Sequence, residues 1–249
     1  LRVLVTGTTG ADAVVRSRKN HKPKDKKKIL AWVCLSGWWA HFSLWTAPAY
    51  SPQQVAQNIE KRLASLRSLQ ADFEQSYFSS SIATPLQEKG KVYFQKPDLM
   101  RWEYLEPEEY VYLYKKGLSL AYFPEDNQLF RHALTPEEQG SELFSLLLGQ
   151  ASLEDSYNIE PASFPSEKKD PLQIKLVPKQ EGNVSYILLE ADEKTWLIQK
   201  LILFDTAGNK QEFRFSRIKP NPRLAARIFE LDVPPDCEVI DDLPPVKND

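Results

Sequence analysis

Between residues 51 and 73 the apolar side chains Val55, Ile59, Leu63, Leu66, Leu69 and Phe73 recur at spacings of three and four. That period predicts an amphipathic helix with one stripe turned to an interior. Ser51-Pro52-Gln53-Gln54 reads as its start, with Ser51 as N-cap, Pro52 in the first turn, Gln54 closing a capping box and Tyr50 stapled onto Val55. From Phe73 the period changes to two. Phe73, Gln75 and Tyr77 share one face, Lys91–Phe94 forms a second strand, and Met100, Trp102 and Tyr104 alternate with Leu99, Arg101 and Glu103 in a third. Tyr110–Tyr114 and Leu118–Phe123 predict a hairpin about Lys115-Lys116-Gly117, and Glu125–Gln128 turns the chain into Leu129–Arg131.

Thr135-Pro136-Glu137-Glu138 repeats the helix-start pattern and leads through Glu142–Leu148 to Gly149, a natural helix terminator. Leu143, Phe144, Leu146, Leu147 and Leu148 cover more than one stripe of this second helix, so it must be covered on most sides or face a cavity. Strands resume at Tyr157–Ile159, Leu172–Val177, Val184–Leu189, Trp196–Phe204 and Gln211–Phe215, with a turn at Thr206–Asn209. Leu224–Phe229 and a proline-rich tail after Val233 close the domain. Many antiparallel strands with a few helices place the chain in the α+β class.

The composition changes sharply near residue 50. Lys22, Lys24, Lys26, Lys27 and Lys28 precede the largely apolar stretch Ile29–Trp45, and Ala47-Pro48-Ala49 follows. A basic region, an apolar region and small exit residues are the parts of a secretory signal, so residues 1–49 are expected to be an N-terminal extension and signal peptide cleaved after Ala49. The folded domain is then 50–249, beginning at Tyr50. An uncleaved anchor is the alternative, disfavoured by Ser36, Gly37, His41 and Ser43 within the apolar stretch. The glycines of Val5–Gly10 lack the βαβ context of a dinucleotide fold. Cys34 would leave with the signal, so Cys237 would have no internal disulfide partner.

With 32 Lys and Arg against 34 Asp and Glu, the chain lacks the overall positive field of a nucleic-acid binder. His21, His41 and His132 are scattered, and neither H-E-x-x-H nor C-x-x-C occurs, so no zinc site is expected. Gly117-Leu118-Ser119-Leu120-Ala121, followed by Asp126 and His132, has the residue order of an esterase triad, but Ser119 falls inside an alternating strand and not at a strand-to-helix elbow. Glu106-Pro107-Glu108-Glu109 reads as a solvated hairpin edge. A protein without enzymatic activity is the expectation.

Three segments carry a family resemblance. Leu66–Gln75 ends in Phe-x-Gln; Gln95-Lys96-Pro97-Asp98-Leu99-Met100-Arg101-Trp102-Glu103-Tyr104 precedes Pro107, Gly117, Tyr122 and the Asp126–Gln128 turn; and Gly208-Asn209, Phe213, Phe229, Val233-Pro234-Pro235 and Val239-Ile240-Asp241 close the series. In this order they resemble the periplasmic outer-membrane lipoprotein carrier (LolA) family across about residues 51–241. The resemblance implies an unclosed antiparallel β-barrel, a strongly curved sheet with a helical lid over an apolar cavity. It further implies a monomeric periplasmic chaperone that takes lipoproteins by their acyl chains from an ATP-driven release complex in the inner membrane and hands them to an outer-membrane receptor, without a cofactor. The implied site comprises Lys96, Met100, Trp102, Tyr104, Leu143, Phe144 and Leu147. Lys96 stands where the family usually has an arginine that ties the sheet to the lid, and a lysine can reach the same carbonyls without the planar fork. Rival readings are the receptor of the same fold, which needs a lipidated N-terminal cysteine that Cys34 is badly placed to supply, a two-domain periplasmic stress regulator sharing the fold, and a serine esterase.

Overall fold

The computed structural model describes residues 50–79, 84–134, 146–149 and 152–242. Helix α1 (Pro52–Ser65) begins as its sequence predicts: the Ser51 hydroxyl accepts from Gln54 N–H, and the Gln54 side chain accepts from Ser51 N–H. It ends earlier than its apolar period. Leu66 is extended, and Leu66 and Leu69, which continue the helical spacing, lie outside the helix. Alternation begins at Leu69, so Leu69, Ala71, Phe73 and Gln75 are buried, with Ser68 buried beside them at the start of the strand. What stops the helix is a clasp: Asn221 Oδ1 accepts from Arg67 N–H at 2.7 Å, and Ser68 Oγ donates to the Pro222 carbonyl at 2.7 Å.

The strands follow as β1 (Ser68–Phe78), β2 (Leu86–Gln95), β3 (Leu99–Glu106), β4 (Tyr110–Lys115), β5 (Leu118–Phe123) and β6 (Gln128–Ala133), then, after a single helical turn α2 (Leu153–Ser156), β7 (Tyr157–Pro161), β8 (Leu172–Pro178), β9 (Val184–Ala191), β10 (Ile198–Asp205), β11 (Lys210–Pro220) and β12 (Glu238–Asp242). They form one sheet in the order β12-β6-β5-β4-β3-β2-β1-β11-β10-β9-β8-β7. β7 and β12 are its two edges, so the sheet is unclosed. Every pairing is antiparallel except that of β12 with β6, which is parallel because the chain crosses the sheet before its last strand. Lys116 and Gly117, both at positive φ, make the two-residue turn of the β4–β5 hairpin.

The inner face holds the main core. Phe73 meets Trp102 and Tyr104 edge-to-face at ring separations of 4.9 and 5.0 Å, and Trp102 packs on Phe213 at 5.3 Å. Gly90 on β2 lies beneath Phe73: a Cβ there would stand 2.0 Å from the Glu103 carbonyl oxygen and 2.8 Å from the tip of the Phe73 ring. Toward the end of the sheet that holds Gln75 and Glu88 the ladder turns polar. Tyr104 donates to Gln75 Oε1 at 2.7 Å, and Tyr110, stacked on Tyr104, donates to Glu88. Burial, reinforced by Glu88, pushes both phenols well above the ordinary tyrosine range.

The outer face carries a second, smaller core. Val111, Leu113 and Leu129 point away from the main core, yet all are buried together with Phe229. Phe229 ends the 3₁₀ turn Ala226–Phe229, whose segment is held down by Arg101 donating to the carbonyls of Ile228 and Glu230 and by Lys115 donating to that of Phe229. The chain then reaches β12, where Asp241 takes a bidentate pair from Arg131.

Two outcomes follow. Gly90→Ala should cost at least about 2 kcal/mol, because a β-carbon there meets backbone that cannot yield; urea unfolding checks it, and an unchanged midpoint would contradict the packing. The phenols of Tyr104 and Tyr110 have folded-state pKa values raised above the unfolded value of about 10. Their contribution to stability is therefore complete below pH ~10 and is lost as pH rises above it, where the unfolded chain gives up protons first. Phenolate absorbance should show them ionising only as the protein unfolds.

Candidate functional site

An apolar pocket lies at the end of the sheet where β1 begins and β2 ends. Its floor is built from inward strand residues: Leu69 and Ala71 from β1, Val92 and Phe94 from β2, Met100 from β3, and Phe215 and Ile218 from β11, which lie on either side of a register irregularity at Arg217. Leu197 and Ile198 close one side, at the start of β10. Leu63 from the last turn of α1 and Leu147 cover it. The pocket spans about 430 Å³ of non-atom space, part of it open to solvent, and most of it lies too close to the surrounding side chains to hold a ligand. What remains is room for a water or two.

Along its length α1 is held by Gln53 donating to the Ile159 carbonyl of β7 and by Glu60 accepting from Leu153 N–H, and at its C-terminal end by Lys96. A helix ends with carbonyls that have no intrahelical partner and carry the negative end of its dipole. Lys96, just after β2, donates from Nζ to Leu63 O at 2.8 Å and to Ala64 O at 3.1 Å. Its own N–H donates to Arg67 O at 2.9 Å, which fixes the stem beside the helix end. Partial burial lowers the Lys96 pKa from the ordinary lysine value. The second part of the cover meets the same turn of α1. Gly149 adopts φ +62°, and a β-carbon on it would lie 2.8 Å from Leu63 C and 2.9 Å from Ala64 N. Only a residue without a side chain both takes that left-handed conformation cheaply and lets the Leu146–Gly149 turn rest on α1.

Of the residues singled out from sequence, Met100 and Leu147 line the pocket and Lys96 fastens its cover. Trp102 and Tyr104 share the face of Met100 but stand farther along β3, in the aromatic core and not in the pocket wall. Leu143 and Phe144, with the rest of the predicted helix from Thr135 to Ser145, lie outside the described residues; its end at Leu146–Gly149 is helical and then turned. Leu69, Phe94, Phe215, Ile218 and Leu197 were not anticipated; strand alternation marks Leu69, Phe94 and Phe215 as inward-facing, whereas Ile218 turns inward through the irregularity at Arg217, which alternation does not reveal. Ser119 and His132 are paired across β5 and β6, whereas Asp126 sits in the turn at the other end of that hairpin, about 13 Å away along the strand. Asp126 therefore does not complete a triad with them. Among the described residues no group of three His, Cys, Asp or Glu side chains could hold a metal ion.

The sequence matches the family described as outer membrane lipoprotein carrier protein LolA over residues 64–232. It is 28% identical over 202 residues to the outer-membrane lipoprotein carrier protein of Methylococcus capsulatus, covering 80% of this chain and 93% of that one. To the protein of the same name from Vibrio cholerae it is 29% identical over 185 residues, covering 74% and 88%. A LolA superfamily protein of known structure from Nitrosomonas europaea superposes with a TM-score of 0.40 at 13% identity, over 74% of this chain and 99% of that one. The chain belongs to the outer membrane lipoprotein carrier protein (LolA) family.

Proposed function

We propose that this protein is a periplasmic chaperone that receives lipoproteins by their acyl chains in the pocket beneath α1 and carries them from the inner to the outer membrane. The observation that supports this most directly is the apolar pocket, too small as it stands for an acyl chain, with the C-terminal end of its helical cover tied to the sheet by Lys96. Acyl chains bind by apolar burial, at roughly 0.8 kcal/mol per CH₂, and need no directed polar group. A carrier must also let go. An unloaded state that closes on itself competes with the cargo, and the Lys96 clasp sets how strongly. In this reading cargo comes from an ATP-driven release complex in the inner membrane, passes to an outer-membrane receptor, and the carrier acts as a monomer without cofactor or catalysis. The names of its relatives favour a carrier over the esterase alternative, as does the separation of Asp126 from Ser119 and His132. No described helix is long and apolar enough to cross a membrane.

Lys96→Leu removes donors that serve only the closed state, so the open state gains population. A fluorescent fatty acid should bind about tenfold more tightly, release of lipoprotein should slow, and thermal melting should change little. Unchanged probe affinity together with unchanged release would sink the clasp. Leu147→Glu places a carboxylate in the pocket wall, and probe affinity should fall at least about tenfold while the urea midpoint moves far less. Normal affinity in a stably folded variant would reject the pocket as the acyl site.

A further inference from the structure

The pocket end of the sheet is cationic in a domain that is otherwise acidic. Residues 50–249 carry 23 Lys and Arg against 32 Asp and Glu. Yet residues 61–71 contain Lys61, Arg62 and Arg67 with no acid, and residues 213–229 contain Arg214, Arg217, Lys219, Arg223 and Arg227 with no acid. The fold joins these two stretches. Gln70 pairs with Lys219 and Leu69 with Pro220; Asn221 N–H donates to Ser68 O at 2.8 Å; and Arg67 is bonded through its backbone to both Asn221 and Lys96. Lys61, Arg67, Lys219 and Arg223 are exposed. None of the four takes part in an ion pair among the described residues, in contrast to Arg217, which pairs with Asp72.

A run of like charges is commonly no more than a solvated face. Here the same two stretches supply Leu63, Leu69 and Ile218 to the apolar pocket, so unpaired cations border the apolar surface that, on the carrier reading, takes acyl chains. That juxtaposition matches a surface with an anionic outer layer and hydrocarbon beneath it. We propose that this rim docks on the surface of an anionic phospholipid bilayer and turns the pocket end toward the membrane. The cations are drawn to the negative surface potential while the acidic remainder of the domain is repelled, so the charge asymmetry orients the molecule as well as attracting it. The attraction acts over about a Debye length, roughly 8 Å at physiological salt, which keeps the docking weak and reversible.

Co-sedimentation with vesicles tests this, using phosphatidylcholine alone and equal parts of phosphatidylcholine and phosphatidylglycerol, at low and physiological salt. The protein should bind the anionic vesicles, bind the neutral ones far less, and lose binding as salt rises. The triple variant Arg67→Gln, Lys219→Gln, Arg223→Gln should bind anionic vesicles about a hundredfold more weakly at low salt, from about 1 kcal/mol for each cation near the surface. Its urea midpoint and fluorescent fatty-acid affinity should match those of the parent; the fatty-acid measurement judges the carrier reading separately from the docking. Equal binding to both vesicle types, no binding to anionic vesicles at low salt, or a triple variant that binds like the parent would each overturn the proposal. So would displacement from the vesicles by millimolar glycerol phosphate, which would identify a site for single phosphates.

Discussion

An unclosed sheet has an inner apolar face that no second sheet covers, and every other feature of this domain answers to that requirement. Over part of the face the aromatic side chains of β1, β3 and β11 fill the curve themselves. At the pocket end they do not, and α1 with the Leu146–Gly149 turn lies across the gap. A permanent core would interdigitate there until no space remained. Instead, beside the pocket, the end of α1 is held by a charged side chain and a glycine contact, both at Leu63–Ala64. Breaking the two Lys96 hydrogen bonds and sliding apolar surfaces apart at that end of α1 is a small rearrangement compared with unfolding.

The contrast with the outer face is instructive. There Val111, Leu113, Leu129 and Phe229 make a compact satellite core, and the segment above it is held by Arg101 and Lys115 through three carbonyls spread over Ile228–Glu230. Distributed anchoring of that kind resists local opening. The outer segment is thus braced by two cations, whereas the pocket end of the inner cover meets the sheet through Lys96, so that end can part without loosening the strands on which it rests.

Much of this was legible before any coordinates. The capping box of α1, the alternation of Met100, Trp102 and Tyr104, and the placing of Lys96 beside the lid all carry over to the structure. The failures have physical causes. Leu66 and Leu69 continue a three-residue spacing by coincidence, while the hydrogen bonds that end the helix come from Asn221 and Pro222, far away in the chain. Period two reveals which face a strand residue takes but not how far along the pocket it stands, so Trp102 and Tyr104 could not be separated from Met100. In Tyr110–Tyr114 both faces are apolar, which hides the outward burial of Val111 and Leu113. β12 is short and acidic, and it follows prolines; only its pairing with β6 makes it a strand.

The position of β1 has a consequence in time. It lies at the middle of the sheet, between β2, which follows it directly, and β11, which is among the last strands to be synthesised. The two halves of the sheet cannot be joined until β11 exists, because β1 has no other partner on that side. Contacts between such distant parts of a chain form slowly. A nascent molecule with this topology cannot complete its sheet until nearly all of the chain has been made, which suits the export that its N-terminal sequence suggests.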